Sequence, residues 1–128
     1  HELALEGFSQ VETMALASGN DHWRALACLG AAESQLALGD LAAAGRMAAE
    51  GRGLAFASPN LEARVWAERI MAEVEAAQDE WCKAEEHRLG ALALAVEMGD
   101  KKEIGKLEAM GIRIAGKKKR TPDKEDEG

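Results

Sequence analysis

Shifted by forty residues, the chain falls on itself without a gap. Gly19-Asn20 lands on Pro59-Asn60 and then on Gly99-Asp100, and Gly39-Asp40 lands on Asp79-Glu80. Ala4, Ala44 and Ala84 form one column, Met14, Leu54 and Leu94 a second, Ala15, Ala55 and Ala95 a third. Glu33 falls on Glu73. A fixed period of this size marks a solenoid, in which each unit stacks on the last to bury its apolar face. An ordinary antiparallel bundle with evenly spaced turns gives no reason for small residues to recur at matched positions.

The repeating unit reads as a helical hairpin. Helix-like runs, Ala25 to Ala32 and Ala42 to Ala48, flank the turn Leu38-Gly39-Asp40-Leu41. Composition agrees with helix: apolar residues are 47% and mostly Ala and Leu, while aromatics are 4% with no Tyr. A sheet protein would want more β-branched and aromatic side chains. A length of 128 residues suits one domain. The chain opens on His1 rather than Met, so a piece of a longer protein is expected. No apolar run is long enough to span a membrane and no signal-peptide pattern is present. Cys28 and Cys82 are too few for a disulfide framework, which points to a reducing, cytoplasmic compartment.

Taken in order, six helices are expected. The first covers 2–18, with Ala4, Phe8, Val11 and Ala15 on one face, and Gly19 stops it. It lines up with the second helix of later hairpins, so its own partner is expected to be missing and its outer face apolar. The helix over 21–38 places Trp23, Leu26, Ala27, Gly30, Ser34 and Ala37 inward, and Asp40 caps its partner over 40–57. Gly51 is expected where two helices approach closely. Pro59 breaks the chain before 60–78, whose inward residues are Ala63, Ala67, Ile70, Met71, Val74 and Ala77. Asp79-Glu80 replaces Gly-Asp, so that turn is expected to bend differently. Trp81, Ala84, Ala91, Leu94, Ala95 and Met98 face inward over 80–98, and Leu107, Met110, Gly111 and Ile114 over 101–116. Residues 117–128 have no apolar side chain beyond Pro122 and are expected to be disordered.

The unit LGAAESQLALGDLAAAGRMAAEGRGLA, residues 29–55, resembles a tetratricopeptide repeat. It has a small residue midway in the first helix (Ala32), a Gly-Asp turn (Gly39-Asp40), and small residues early in the second helix (Ala44, Ala48). The next unit matches at Ala72 and Ala84, and Arg88 departs from the small residue expected. The usual spacing is about thirty-four residues. A period of forty looks like the long-helix subgroup, found in adaptors, receptor-clustering scaffolds, ciliary proteins and bacterial transcriptional regulators. The resemblance implies an all-α, right-handed superhelix of antiparallel hairpins over residues 2–116, whose concave face binds a peptide or protein segment. The repeats that clamp a C-terminal carboxylate use Lys and Asn on first-helix positions. The only Asn residues here, Asn20 and Asn60, sit at turns, so that mode is not expected.

The residues themselves offer no reaction. Cys82 and His87 are five apart, about 140° round a helix, and no C-x-x-C or H-x-x-x-H spacing occurs, so no metal is expected. No P-loop or G-x-S-x-G pattern is present, so neither catalysis nor a cofactor is expected. The net charge of −7 is concentrated in residues 1–116, where nineteen acids face eleven cations. That balance argues against nucleic acid and favours a basic peptide or protein. Glu33 and Glu73 occupy equivalent places on successive first helices, with Arg113 next in the column. Local ion pairs are expected at Arg64 with Glu68 and at Arg69 with Glu73. The candidate partner-binding set is therefore Leu29, Glu33, Leu36, Arg69, Glu73 and Arg113. Self-association through the edge at Phe8 and Val11 is a further expectation. Lys117, Lys118, Lys119 and Arg120 fit a short nuclear address, or simply suit the negative end of a helix dipole. The expected function is protein–protein interaction as a scaffold or adaptor. A sensor module of a transcriptional regulator is the alternative.

Overall fold

The computed structural model describes residues 21–120, with side chains through Lys117. The expected helix over 2–18, the turn at Gly19-Asn20, the edge at Phe8 and Val11, and residues 121–128 lie outside the described residues. Five helices and no strand make up the described chain: α1 (Asp21–Leu38), α2 (Leu41–Phe56), α3 (Leu61–Ala77), α4 (Trp81–Met98) and α5 (Lys101–Arg120). Each packs against the next in antiparallel hairpins, and α1 also touches α3. No described helix is long and apolar enough to cross a membrane.

The turns account for the helix ends. At Gly39, Asp79 and Gly99 the backbone enters the left-handed region, with φ of 86°, 60° and 71°. The same pair of bonds closes each turn. Gly39 N donates to Leu36 O and Asp40 N to Gln35 O; Asp79 N donates to Ala76 O and Glu80 N to Glu75 O; Gly99 N donates to Val96 O and Asp100 N to Ala95 O. This is the Schellman pattern, which satisfies carbonyls a helix end leaves open. Asp79-Glu80 therefore does not bend differently, because aspartate tolerates the left-handed conformation that glycine adopts freely. The caps repeat as well. Asp40, Asn60 and Asp100 each accept a bond from the backbone N–H three residues on, at 3.1, 2.9 and 3.1 Å. Glu80, in the place of Asp40, makes no such bond.

The forty-residue period is present in the core. One buried cluster joins Ala32, Ala44, Ala48, Ile70 and Val74. Another joins Ala72, Ala84, Trp81, Met110 and Ile114. Adding forty to Ala32, Ala44, Ile70 and Val74 yields Ala72, Ala84, Met110 and Ile114. The remaining position, Ala48, becomes Arg88, which belongs to neither cluster. Its guanidinium lies over Gly111, where an added Cβ would meet Arg88 Cζ at 2.6 Å. Gly111 stands where the preceding unit has Met71. A larger residue on α4 is thus matched by a smaller one on α5. Arg88 also donates to Glu85 at 2.5 and 2.8 Å and to Leu107 O at 3.3 Å.

Gly51 does mark a close approach: a Cβ there would sit 2.8 Å from Leu29 Cδ2 and 3.1 Å from Cys28 Cβ. Other inward assignments need correction. Trp23 is 52% exposed and Ala37 and Ala77 are exposed, while Ala25, Cys28, Leu29 and Ala32 are buried. A single-stripe reading fails for α1 because it touches both α2 and α3 and so buries more than one stripe. The last helix continues to Arg120 rather than ending at 116. Lysine and arginine are good helix formers and suit the negative end of the dipole. Restoring the repeat at the third turn, with Asp79→Gly and Glu80→Asp together, is predicted to raise stability by about 1 kcal/mol. Chemical denaturation measures this; an unchanged or lower midpoint would show that the turn is not strained.

Candidate functional site

α3 supplies the centre. Arg69 and Glu73 lie one turn apart, and Arg69 reaches acids on three helices. Its guanidinium is 2.9 Å from Glu103 on α5, 3.4 Å from Glu73 and 4.0 Å from Glu33 on α1. The column of Glu33, Glu73 and Arg113 is therefore not a free acidic stripe, because Arg69 sits among its carboxylates. Burial pushes the Glu73 carboxyl above the ordinary value of 4.5; Arg69 opposes this, Glu33 adds to it, and Arg113 opposes it from further away.

Around this centre runs a furrow. Three hollows of about 200, 340 and 260 Å³ follow one another along α3 and α5. Arg69 is common to the first two, and Glu73, Met110 and Arg113 to the second and third. A fourth hollow of about 160 Å³ continues past Trp66 and Glu62 to Leu26 and His22 on α1. From Glu62 to Ala77 the furrow extends for about 22 Å at 1.5 Å per residue. Its charge is uneven. Glu62, Asp100 and Glu103 line the first hollow beside Arg69. Lys106 and Arg113, and then Lys117, line the next two beside Glu73.

The residues chosen from sequence fare unequally. Arg69, Glu73 and Arg113 line the furrow, and Leu36 closes its far end beside Trp81 and Ile114. Glu33 is exposed at the rim and joins through Arg69. Leu29 is a correction: it is 0% exposed, in a cluster with Ala25, Ala55, Ala63 and Ala67, because it fills the space over Gly51. Sequence reasoning missed Trp66 and Lys106 as lining residues. The signal was present, since Leu26, Trp66 and Lys106 form one column at the forty-residue shift.

A second polar group lies on the other side of α3. Glu68 and Glu75 are buried at 6% and 7% exposure against α4. Arg52 of α2 pairs with Glu68. His87 Nδ1 lies 2.5 Å from Glu75 Oε1. The expected Arg64–Glu68 pair does not form. Arg64 turns back to Ser58 O at 2.6 and 3.0 Å, where it ends α2 by binding a carbonyl that no helix bond satisfies. The hydrogen bond that His87 donates to Glu75 holds the His87 pKa above the ordinary 6.5; burial and Arg52 oppose it, and the charges of Glu75 and Glu68 add to it. In the first hairpin the places of Glu68 and Glu75 are taken by Cys28 and Gln35, and Cys28 is buried. No disulfide joins Cys28 and Cys82.

Among the described residues no group of three or more His, Cys, Asp or Glu is placed to hold a metal ion. Comparison with protein-family models, with curated proteins and with solved structures yields no significant match.

The His87–Glu75 contact makes stability depend on pH. A raised histidine pKa contributes stability that is full below about 6.5, the unfolded value, and is lost as pH rises through the folded value. The unfolding free energy is therefore predicted to fall as pH rises from 6 upward, and His87→Gln is predicted to flatten that slope. Denaturation series at several pH values on both chains measure it; parallel curves would show that folding leaves the proton affinity of His87 unchanged.

Proposed function

We propose that the chain is a protein–protein interaction module of tetratricopeptide type, a scaffold or adaptor segment that holds a peptide along the furrow between α3 and α5. The observation that carries this reading is the furrow: a continuous channel that mixes apolar walls, Trp66, Met98 and Met110, with half-buried charges, Arg69 and Glu103. Few polar anchors set in an apolar wall are what a recognition surface needs. Glu73, whose carboxyl burial pushes upward, fits the tendency of perturbed acids to cluster where something binds. The small residues at Ala32, Ala44 and Ala48 and the Gly39-Asp40 turn support the family likeness, since all occupy packing or turn positions. In this likeness the first helices of the hairpins, α1, α3 and α5, line the concave side.

The polarity of the furrow defines the ligand. Its basic end would lie against Glu62, Asp100 and Glu103, its acidic or carboxylate end against Lys106, Arg113 and Lys117, and an apolar residue between them on Trp66 or Met110. Selection from a displayed peptide library against the described helices tests this. Peptides with a basic half followed or preceded by an acidic half are expected. Glu62→Lys with Lys106→Glu reverses both ends at exposed positions, where substitutions change stability by about 0.5 kcal/mol or less. This variant is predicted to lose the selected peptides at least about tenfold, and to bind charge-reversed ones instead. Equal binding of both peptide sets to parent and variant would place recognition elsewhere.

A further inference from the structure

The arginines of the helix seams are committed within the fold. Arg52 pairs with Glu68, Arg88 with Glu85, and Arg64 binds Ser58 O. Arg69 is shared among Glu103, Glu73 and Glu33. α5 differs. Lys106, Met110, Arg113 and Lys117 follow at spacings of four, three and four, which puts them on one face of the helix. Met110 is 4% exposed and packs with Ala72, Trp81 and Ala84, so this face is turned inward, along the furrow. Lys106 and Arg113 are exposed on either side of it. Among the described residues, Lys106 has one ion pair, to Glu103 at 4.0 Å, and Arg113 and Lys117 have no ion pair or side-chain hydrogen bond.

These three cations meet in the middle and far hollows, of about 340 and 260 Å³. Glu73 is the one acid among the described residues that line them, and Arg69 holds it at 3.4 Å. In a chain of net charge −7 such a place is an exception. Lys106, Arg113 and Lys117 all repel a cationic side chain. A carboxylate brings them a single negative charge. A phosphorylated serine, threonine or tyrosine brings about −1.5 to −2 and three acceptor oxygens. Arg113 can meet two of those oxygens with its planar fork, and Lys106 the third as a point charge. Lys106 and Arg113 are about 10.5 Å apart along the helix axis, at 1.5 Å per residue. Both side chains are long and flexible, so their charged ends can close on one group lying over Met110. Leu36, Trp81 and Ile114 then offer apolar wall to a neighbouring residue of the ligand.

We infer that the acidic element of the ligand is a phosphorylated side chain, held in the middle hollow by Arg113 and Lys106, with Lys117 adding attraction from the next. The inference rests on the peptide reading above and names the chemistry that its site selects. Glu73 opposes any anion there and keeps Arg69 engaged.

A peptide array probed with the labelled full chain tests this. Each sequence is printed with phosphoserine, serine or glutamate at the same position, and affinities of the retained sequences are measured in solution at one ionic strength. The phosphoserine form is expected to bind at least about tenfold more tightly than the serine form, and more tightly than the glutamate form. Inorganic phosphate alone should bind more weakly than the phosphopeptides, because it lacks their contacts with the furrow. Arg113→Gln should remove most of the advantage of phosphoserine and leave the melting temperature unchanged, since this guanidinium has no partner among the described residues. Glu73→Gln decides by sign. It removes a repulsion and frees Arg69, so phosphopeptides should bind the variant more tightly than the parent, whereas a ligand that places a cation here would bind it more weakly. Four results would each overturn the phosphate assignment and leave the peptide reading standing: serine or glutamate forms as tight as phosphoserine, inorganic phosphate as tight as the phosphopeptides, an advantage of phosphoserine that survives Arg113→Gln, or weaker binding to Glu73→Gln. An array on which no sequence is retained in any form would overturn both.

Discussion

The close approach of helices across columns of alanine and glycine is the contact on which everything else here rests. Leu29 lies where any Cβ on Gly51 would intrude, and Ala44, Ala48, Ala84, Ala91 and Ala95 are all at or near zero exposure. A core of this kind gains less from each side chain than one of leucines, since little area is hidden per residue. What it gains instead is backbone proximity, with many short-range dispersion contacts per turn, and the high helix propensity of alanine. It also leaves little room for error. A methylene added along these columns has nowhere to go, which is why substitutions appear in compensating pairs, as at Arg88 and Gly111.

On this scaffold the two hairpins have diverged. The seam between α1 and α2 is apolar, with Cys28 against Gly51. The seam between α3 and α4 holds Glu75 with His87, and Arg52 of α2 reaches Glu68 beside it. Buried ion pairs seldom add net stability, because desolvation offsets much of their attraction. The second hairpin is the one predicted to respond to pH through His87. It is also the one that bears the furrow, since Arg69, Glu73 and Trp66 project from the opposite side of the same α3. One helix thus carries an acid–base contact on one face and the candidate recognition surface on the other. On that surface burial pushes the Glu73 carboxyl upward, and Arg69 is shared among three carboxylates.

The period, the turns and most buried columns were legible in the residues because each depends on local rules: a left-handed turn position, a cap three residues before an amide, a small residue every forty. The period even held where the residue type changed, at Asp79. What escaped was whatever depends on two neighbours at once. Trp23 looked inward because it is large and apolar, yet α1 faces its neighbours with Ala25, Cys28 and Ala32. Leu29 looked like surface because it stands among small residues, yet it fills the hole above a glycine one helix away. Arg64 looked like a partner for Glu68 at helical spacing, and instead closes the end of α2. The candidate groove was visible in part, through Glu73 and Arg113. Its bipolar character was not, because Arg69 acquires acids from α1 and α5 only when the helices are stacked.

The central claim is that successive hairpins occupy one geometry, so that what stands at one unit predicts what its equivalent tolerates. Arg88 over Gly111 replaces Ala48 beside Met71, and a double-mutant cycle in that pair measures the equivalence. Unfolding free energies are needed for the parent, Arg88→Ala, Gly111→Met and both together. Gly111→Met alone is predicted to cost about 1–3 kcal/mol, because its side chain meets the guanidinium. With Arg88→Ala also present, most of that loss should return, a coupling of about 1–3 kcal/mol, since the pair then matches the preceding unit. Effects that add to within about 0.5 kcal/mol, the behaviour of independent sites, would contradict the repeat as an account of this core.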